Sequence, residues 1–318
     1  MKQDSLIYVA GHTGLVGSAI TRMLHAQGFT HILTKPRSEL DLRDREAVDA
    51  FFRIHQPEYV FLAAARVGGI LANSTYPVEF LLENLEIHTH ILRAAADRGV
   101  QKLLFLGSSC IYPRLATQPI TEDALLTGPL EPTNKAYAIA KIAGLTLCQA
   151  YHAEYGKNFI CAMPTNLYGP NDNFDLESSH VLPALVRKVH DAKAAKKSSV
   201  SLWGTGNPRR EFLHVDDCAE ACIFLMQYYN NPEIINVGTG EDLSIRELSA
   251  LVADAIGYSG SVSFDSSKPD GSPRKLLDVS RIRTLGWRHR IPLHEGIQRT
   301  YEWFLTHSPH ARSPATLQ

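Results

Sequence analysis

The chain has 318 residues, 44% of them hydrophobic, and a formal net charge of -1, which allows one large or two medium domains with a sizeable core. No basic stripe stands out, which argues against nucleic acid as the main partner, and no run of 18 uninterrupted apolar residues suggests a membrane span. The five cysteines (Cys110, Cys148, Cys161, Cys218 and Cys222) include no C-x-x-C pair. That speaks against a disulfide framework or a zinc knuckle and fits a reducing cytoplasm. The opening stretch MKQDSLIYVAGHTG has too short an apolar run for a signal peptide.

The first half alternates strands and helices. SLIYVAG (5–11) reads as a strand ending in glycine, and Leu15, Val16, Ala19, Ile20, Met23 and Leu24 then form one helical stripe. THILTK (30–35) is a second strand, EAVDAFFRIH (46–55) a helix and YVFLAAA (59–65) a third strand. A long helix over 77–99 stops at Gly99, and KLLFLG (102–107) follows as a strand. NFICAMP (158–164) and EIINVG (233–238) read as further strands. Such alternation predicts an α/β fold with a doubly wound parallel sheet.

Beyond about residue 165 the pattern loosens. PTNLYGPNDNFDLESS reads as loop and SHVLPALVRKVHDAKAA as helix, and Ser244 with Glu247 forms a capping box ahead of another helix. HVDDCAEACIFLM and EIINVG return to the sheet. The expected organisation is therefore a Rossmann-type domain over 1–165, with returns near 210–240. A smaller, interleaved substrate domain is expected over 166–209 and 241–318. Cys218 and Cys222 stand one helical turn apart. Two ligands so placed could begin a metal site, but the stretch is mostly apolar and reads as core, so no metal is expected.

GHTGLVG places Gly11, Gly14 and Gly17 between the first strand and the first helix. In that position the free N–H groups of the helix suit a pyrophosphate, so this is a dinucleotide site. Lys35 and Arg37 follow the second strand ahead of Glu39 and Asp41. Cations at that point favour NADP over NAD, because they accommodate the 2′-phosphate.

Tyr137 and Lys141 stand at i and i+4 in AYAIAK and share a helix face. An ammonium beside a phenol is expected to lower the phenol pKa and suit it to proton exchange with a substrate oxygen. Such a pair occurs by chance in many helices. The glycine triplet upstream and Ser108 give it meaning.

With these motifs, and with LGSSCIYP, PTNLYGP, REFLHVDD and NVGTG, the chain resembles the extended short-chain dehydrogenase/reductase family over essentially its whole length. Longer stretches (EPTNKAYAIAKIAG, MPTNLYGPNDNFD, SSHVLPAL and KPDGSPRKLLDV) sharpen the resemblance toward members that remodel GDP-sugars. It implies a bifunctional NADPH enzyme that epimerises GDP-4-keto-6-deoxy-D-mannose at C3 and C5 and reduces C4 to give GDP-L-fucose. By the same resemblance Cys110 is the base, His180 the acid, and Ser108 and Tyr137 stabilise the enolate. Lys141 holds the cofactor ribose. The cofactor is lined by Gly11, His12, Thr13, Gly14, Leu15, Val16 and Gly17, by Leu106, Gly107, Ser108 and Ser109, by Pro164, Thr165, Asn166 and Leu167, and by His180. Lys188, Trp203, Arg210 and Asp270 match sugar-nucleotide contacts, and Lys275, with Arg274, is expected to face the diphosphate. The pattern often has arginine where this chain has Thr13, which leaves Lys35 and Arg37 to take the 2′-phosphate. A homodimer is also implied.

Related activities are weighed on the same residues. A 4,6-dehydratase needs a carboxylate after the serine, where this chain has Ser109, Cys110 and Ile111. A 4-epimerase needs no Cys/His pair. A reductase of a GDP-heptose or GDP-dideoxysugar is the nearest alternative. A non-enzymatic NADP-binding sensor should lack Tyr137 and Lys141.

Overall fold

The structure is a computed structural model that describes residues 1–267 and 270–311. Lys268 and Pro269 of the KPDG stretch lie outside it, as do residues 312–318. The chain opens with β1 (Ile7–Ala10), α1 (Leu15–Ala26), β2 (Ile32–Leu33), α2 (Arg45–His55) and β3 (Tyr59–Leu62). A short α3 (Ile70–Thr75) leads into α4 (Pro77–Asp97), β4 (Lys102–Leu106), α5 (Lys135–Tyr155) and β5 (Phe159–Pro164). Next come β6 (Asn166–Tyr168), α6 (Val181–Ala194), β7 (Ser199–Trp203), β8 (Arg209–Arg210), β9 (Phe212–His214) and α7 (Val215–Tyr228). The chain closes with β10 (Ile235–Val237), β11 (Leu243–Ser244), α8 (Ile245–Ile256), β12 (Ser261–Asp265), β13 (Arg274–Lys275), α9 (Ser280–Thr284) and α10 (Leu293–His307).

Six strands form one parallel sheet in the order β10-β5-β4-β3-β1-β2. From β1 the chain crosses to β2 on one side and then to β3 on the other. That reversal opens a crevice at the carboxyl end of β1, the place where doubly wound sheets bind ligands. Strands β1, β4 and β5 are buried along their whole length, as strands covered on both faces must be.

Local chemistry explains several helix ends. The Asp44 carboxylate accepts from Glu46 N (2.9 Å) and Ala47 N (3.1 Å) to cap α2. Pro77 sits in the first turn of α4, where its missing N–H costs nothing. The expected capping box of α8 is present: Glu247 N donates to Ser244 Oγ (3.1 Å), and Ser244 N donates to Glu247 Oε2 (2.7 Å).

The apolar side chains gather in two cores. One lies on the six-stranded sheet and takes Val215–Met226 and Leu277–Trp287 as well as the N-terminal half. The other joins α6, α8 and α10 around Leu185, Val189, Leu248, Val252 and Phe304. Cys218 and Cys222 are fully buried in the first. No helix among the described residues is long and apolar enough to cross a membrane.

Three elements differ from the sequence reading. β2 keeps only Ile32 and Leu33, because as an edge strand it pairs with β1 alone before the chain turns at Pro36. β3 stops at Leu62. Ala63 N still bonds Ala10 O (3.1 Å), and Ala64 then passes against the glycine loop. Within the stretch read as loop, β6 pairs in parallel with β9, Asn166 opposite Phe212 and Tyr168 opposite His214.

Candidate active site

The carboxyl ends of β1, β3, β4, β5 and β10 lie on one edge of the sheet, and the site is built there. Gly11 leaves β1 with φ +86°, a backbone that side chains rarely adopt. A Cβ there would come within 2.8 Å of Ala64 N, and a Cβ on Gly17 would come within 2.1 Å of Gly11 O. The loop is therefore closed to side chains at both positions. Gly14 caps α1 without a side-chain bond, so the first N–H groups of the helix face the crevice, as a pyrophosphate requires. Thr13 and Gly14 are exposed, and His12 Nδ1 is buried with no hydrogen-bond partner. This cradle fits a dinucleotide.

Leu106 ends β4, followed by Gly107, Ser108 and Ser109. A Cβ on Gly107 would collide with the thioether of Met163. On the next strand Pro164 ends β5. Thr165 N bonds Val237 O (3.0 Å), and Asn166 Nδ2 bonds Glu211 O (2.8 Å). Leu167 lies in β6.

Ser108 caps a 3-10 turn over Ser109–Ile111. Its hydroxyl accepts from Cys110 N at 3.2 Å and lies beside the Tyr137 phenol. Tyr137 and Lys141 occupy the first turns of α5 and are 7% and 2% exposed. Lys141 Nζ donates to Leu106 O (2.7 Å) and lies 5.9 Å from the centroid of the Tyr137 ring. Burial strips the ammonium of water and brings its pKa down to about 7. The phenol departs from the expectation of a lowered value. Burial raises it, and the nearby Cys110 adds to the rise, while only the neighbouring Ser108 hydroxyl lowers it. Shared helix face does not reveal burial, and burial is the larger effect here.

Cys110 is half-buried, whereas the other four cysteines are buried. Its sulfur receives Asn134 Nδ2 at 3.3 Å and Lys275 Nζ at 3.7 Å. Negative charge on the sulfur is thus met by an amide N–H and a cation. Lys275 stands here rather than only toward a diphosphate. Its neighbour Arg274 ion-pairs with Asp242. Asn134, the N-cap residue of α5, had no role in the sequence reading.

His180 caps α6 without using its side chain. Its ring is open to the cleft yet crowded by protein, and that crowding, with the Lys275 charge, lowers its pKa below the usual imidazole value. Lys275 therefore acts on both His180 and Cys110. Burial lowers the Arg210 pKa, against the nearby Cys110, Glu131 and Asp270, and the β8–β13 ladder sets Arg210 opposite Lys275. On the rim the Lys188 ammonium lies 5.8 Å from the Trp203 ring centroid, and Trp203 is 66% exposed. Asp270 accepts from Thr205 N (2.9 Å) and Thr205 Oγ1 (2.7 Å).

Beyond β2, Lys35 pairs with Glu39 at 2.7 Å. Among the described residues Arg37 makes only long contacts, 3.7 Å to Asp41 and 3.8 Å to Glu83, and its side chain is 65% exposed. Glu83 is held more closely by Arg66, at 2.7 Å. Arg37 is thus the cation freer to turn toward a phosphate. Replacing it with alanine is expected to weaken NADPH binding by about tenfold, the scale of one charge-assisted contact, and NADH binding much less. Titration with both cofactors measures this, and equal losses would remove Arg37 from the 2′-phosphate site.

The parallel sheet, the closed glycine loop at its switch point and the buried tyrosine–lysine pair define a dinucleotide-dependent enzyme of the Rossmann type. The chain belongs to the NAD dependent epimerase/dehydratase family, whose profile matches residues 7–238. It is 56% identical to GDP-L-fucose synthase 1 of Arabidopsis thaliana, covering 95% of this chain and 94% of that one. It is 52% identical to GDP-L-fucose synthase of Escherichia coli, covering 94% and 96%. The crystal structure of a GDP-L-fucose synthetase from Naegleria fowleri bound to NADP superposes with a TM-score of 0.88 at 32% identity, over 96% of this chain and 95% of that one.

Proposed function

We propose that the chain converts GDP-4-keto-6-deoxy-D-mannose to GDP-L-fucose, inverting C3 and C5 and then reducing the C4 ketone with NADPH. The observation that carries this reading is the Cys110 sulfur, held by Asn134 and Lys275 beside Tyr137 and Ser108. Pure 4-epimerisation or dehydration has no use for a thiol at this point. The GDP-L-fucose synthases among the relatives support the same choice of substrate.

Protons on the carbons flanking a ketone are acidic, because the carbanion is shared with the carbonyl oxygen. Cys110, as thiolate, removes such a proton, and the sulfur becomes a thiol. The charge that reaches the C4 oxygen is received by the hydroxyls of Ser108 and Tyr137. His180, entering the step as the imidazolium, gives its proton to the opposite face of the carbon, which inverts it, and is left as the neutral imidazole. A phenol kept protonated by its buried setting suits the last step, in which Tyr137 gives its proton to the C4 oxygen.

NADPH, when bound, supplies the hydride for C4. The residues that would hold it are the glycine loop from Gly11 to Gly17, Leu106 to Ser109, Pro164 to Leu167, and Lys141 at the ribose. Lys35 and Arg37 take the 2′-phosphate. Lys188, Trp203, Arg210 and Asp270 would hold the GDP moiety, with the exposed indole offering an aromatic surface and the cations facing the phosphates.

Incubation with GDP-4-keto-6-deoxy-D-mannose and NADPH tests the reading, with the product sugar identified by NMR. GDP-L-fucose is expected. A reduced sugar that kept its C3 and C5 configuration would reject epimerisation. No turnover here, alongside turnover of a GDP-4-keto-heptose, would move the substrate.

A further inference from the structure

Glu211 follows Arg210 between β8 and β9 and is 0% exposed. Both its carboxylate oxygens are used. One accepts from Gly240 N (2.7 Å) and Thr239 Oγ1 (3.4 Å), the other from Leu277 N (2.9 Å). The 238–240 turn wraps the group so closely that a Cβ on Gly238 would sit 2.2 Å from Glu211 Oε1. Its backbone oxygen accepts from Thr165 Oγ1 (3.3 Å) and Asn166 Nδ2 (2.8 Å). One residue thus ties together the exits of β5, β10 and β13.

The β13 exit bears on the chemistry. β13 has two residues, and its ladder with β8 sets Lys275 opposite Arg210. So short a strand cannot fix a long side chain by itself. The segment is pinned just beyond it: Ile120 N donates to Leu276 O (2.7 Å) and Asp278 N to Ile120 O (2.8 Å) on one side of Leu277, Leu276 N donates to Gln118 Oε1 (2.8 Å), and Leu277 N itself donates to Glu211. An acceptor-only group is needed at Glu211, since both oxygens face N–H donors. Glutamine would turn its own N–H₂ toward one of them.

We propose that Glu211 is a positioning residue that acts through Lys275: by holding the chain at Leu277 it sets the ammonium against the Cys110 sulfur. The inference rests on Cys110 being the base, but its readout is the thiol itself. The charged and titratable groups that face Cys110 are Lys275 from β13, Arg210 from β8 and Tyr137 from α5. Lys275 is reached through the Leu277 anchor; Arg210 is the chain neighbour of Glu211, and an effect through it would add to that of Lys275→Ala in the double variant.

The measurement is the rate of iodoacetamide labelling of the full chain as a function of pH, which reports the thiolate. Cys110 is the half-exposed cysteine, so peptide mapping reads it cleanly. Labelling near pH 7 should slow about tenfold in Glu211→Gln, the scale set by moving one opposite charge away. Lys275→Ala should slow it comparably, and the double variant should be no slower than Lys275→Ala alone. If Glu211→Gln does not fold, Glu211→Asp serves. Its carboxylate is one methylene shorter and cannot span both N–H groups, so the same slowing is expected. Labelling at the wild-type rate or faster, or a full additional slowing in the double variant, would overturn the proposal. Should the product assay on the wild-type chain fail while the labelling pattern holds, the functional reading falls and the coupling of Glu211 to Lys275 stands.

Discussion

Tyr137→Phe is expected to lose ketone reduction by roughly 10²–10⁴-fold, the usual contribution of a placed general acid, while still binding NADPH. The substitution removes one oxygen and leaves the ring. Its edge-on packing against Phe80, with centroids 6.4 Å apart, is kept. The glycine loop and Lys141 are untouched. What disappears is the proton for the C4 oxygen. Ser108 remains as a donor to an enolate, so slow exchange of substrate protons with solvent should persist after reduction has stopped. NADPH oxidation and cofactor titration measure the two quantities separately. Turnover near the wild-type rate would reject the phenol as the acid.

Cys110→Ser should separate the two half-reactions. A hydroxyl has nearly the shape of a thiol but gives up its proton far less readily, so the contacts from Asn134 and Lys275 have little anion to stabilise. Epimerisation is expected to fall by roughly 10²–10⁴-fold. Tyr137, Lys141 and the cofactor cradle are unchanged, so the unepimerised ketone should still be reduced. The product would be a 6-deoxy sugar with its original C3 and C5 configuration. His180 variants should also fail to invert, yet still exchange the C3 proton for deuterium when Cys110 takes it and returns it on the same face. NMR of the product formed in D₂O distinguishes base from acid. Normal formation of GDP-L-fucose by Cys110→Ser would leave Cys110 as a packing residue.

What could be read from the residues followed their own spacing. The apolar run before Gly11 and the stripe from Leu15 to Leu24 carry their periods within a few residues, and the glycine triplet between them needs no distant partner. The Ser244–Glu247 cap is equally local. Contacts made across the fold left no such trace. Lys275 and Cys110 are 165 residues apart, and no local pattern brings an ammonium from a two-residue strand to a sulfur beyond β4. The pairing of β6 with β9 was hidden for the same reason, three residues being too few to alternate visibly. The direction of the Tyr137 shift is not legible in the sequence, because spacing reports neighbours along a helix and says nothing of how much water reaches them. Glu211 sits in REFLHVDD, a stretch noted for its resemblance, but its burial appears only in three dimensions.

The order of strands in the sheet also bears on how the chain is made. β5 ends at Pro164, and its outer neighbour β10 begins at Ile235, some 70 residues later. During synthesis from the N-terminus, the buried strand FICAMP has one open edge until β10 leaves the ribosome. An unpaired apolar edge of this kind is a template for pairing with another chain. Ribosomes pausing between these two points would hold nascent chains in their most adhesive form. A truncated message ending before Ile235 should therefore give insoluble polypeptide rather than a free-standing nucleotide-binding half.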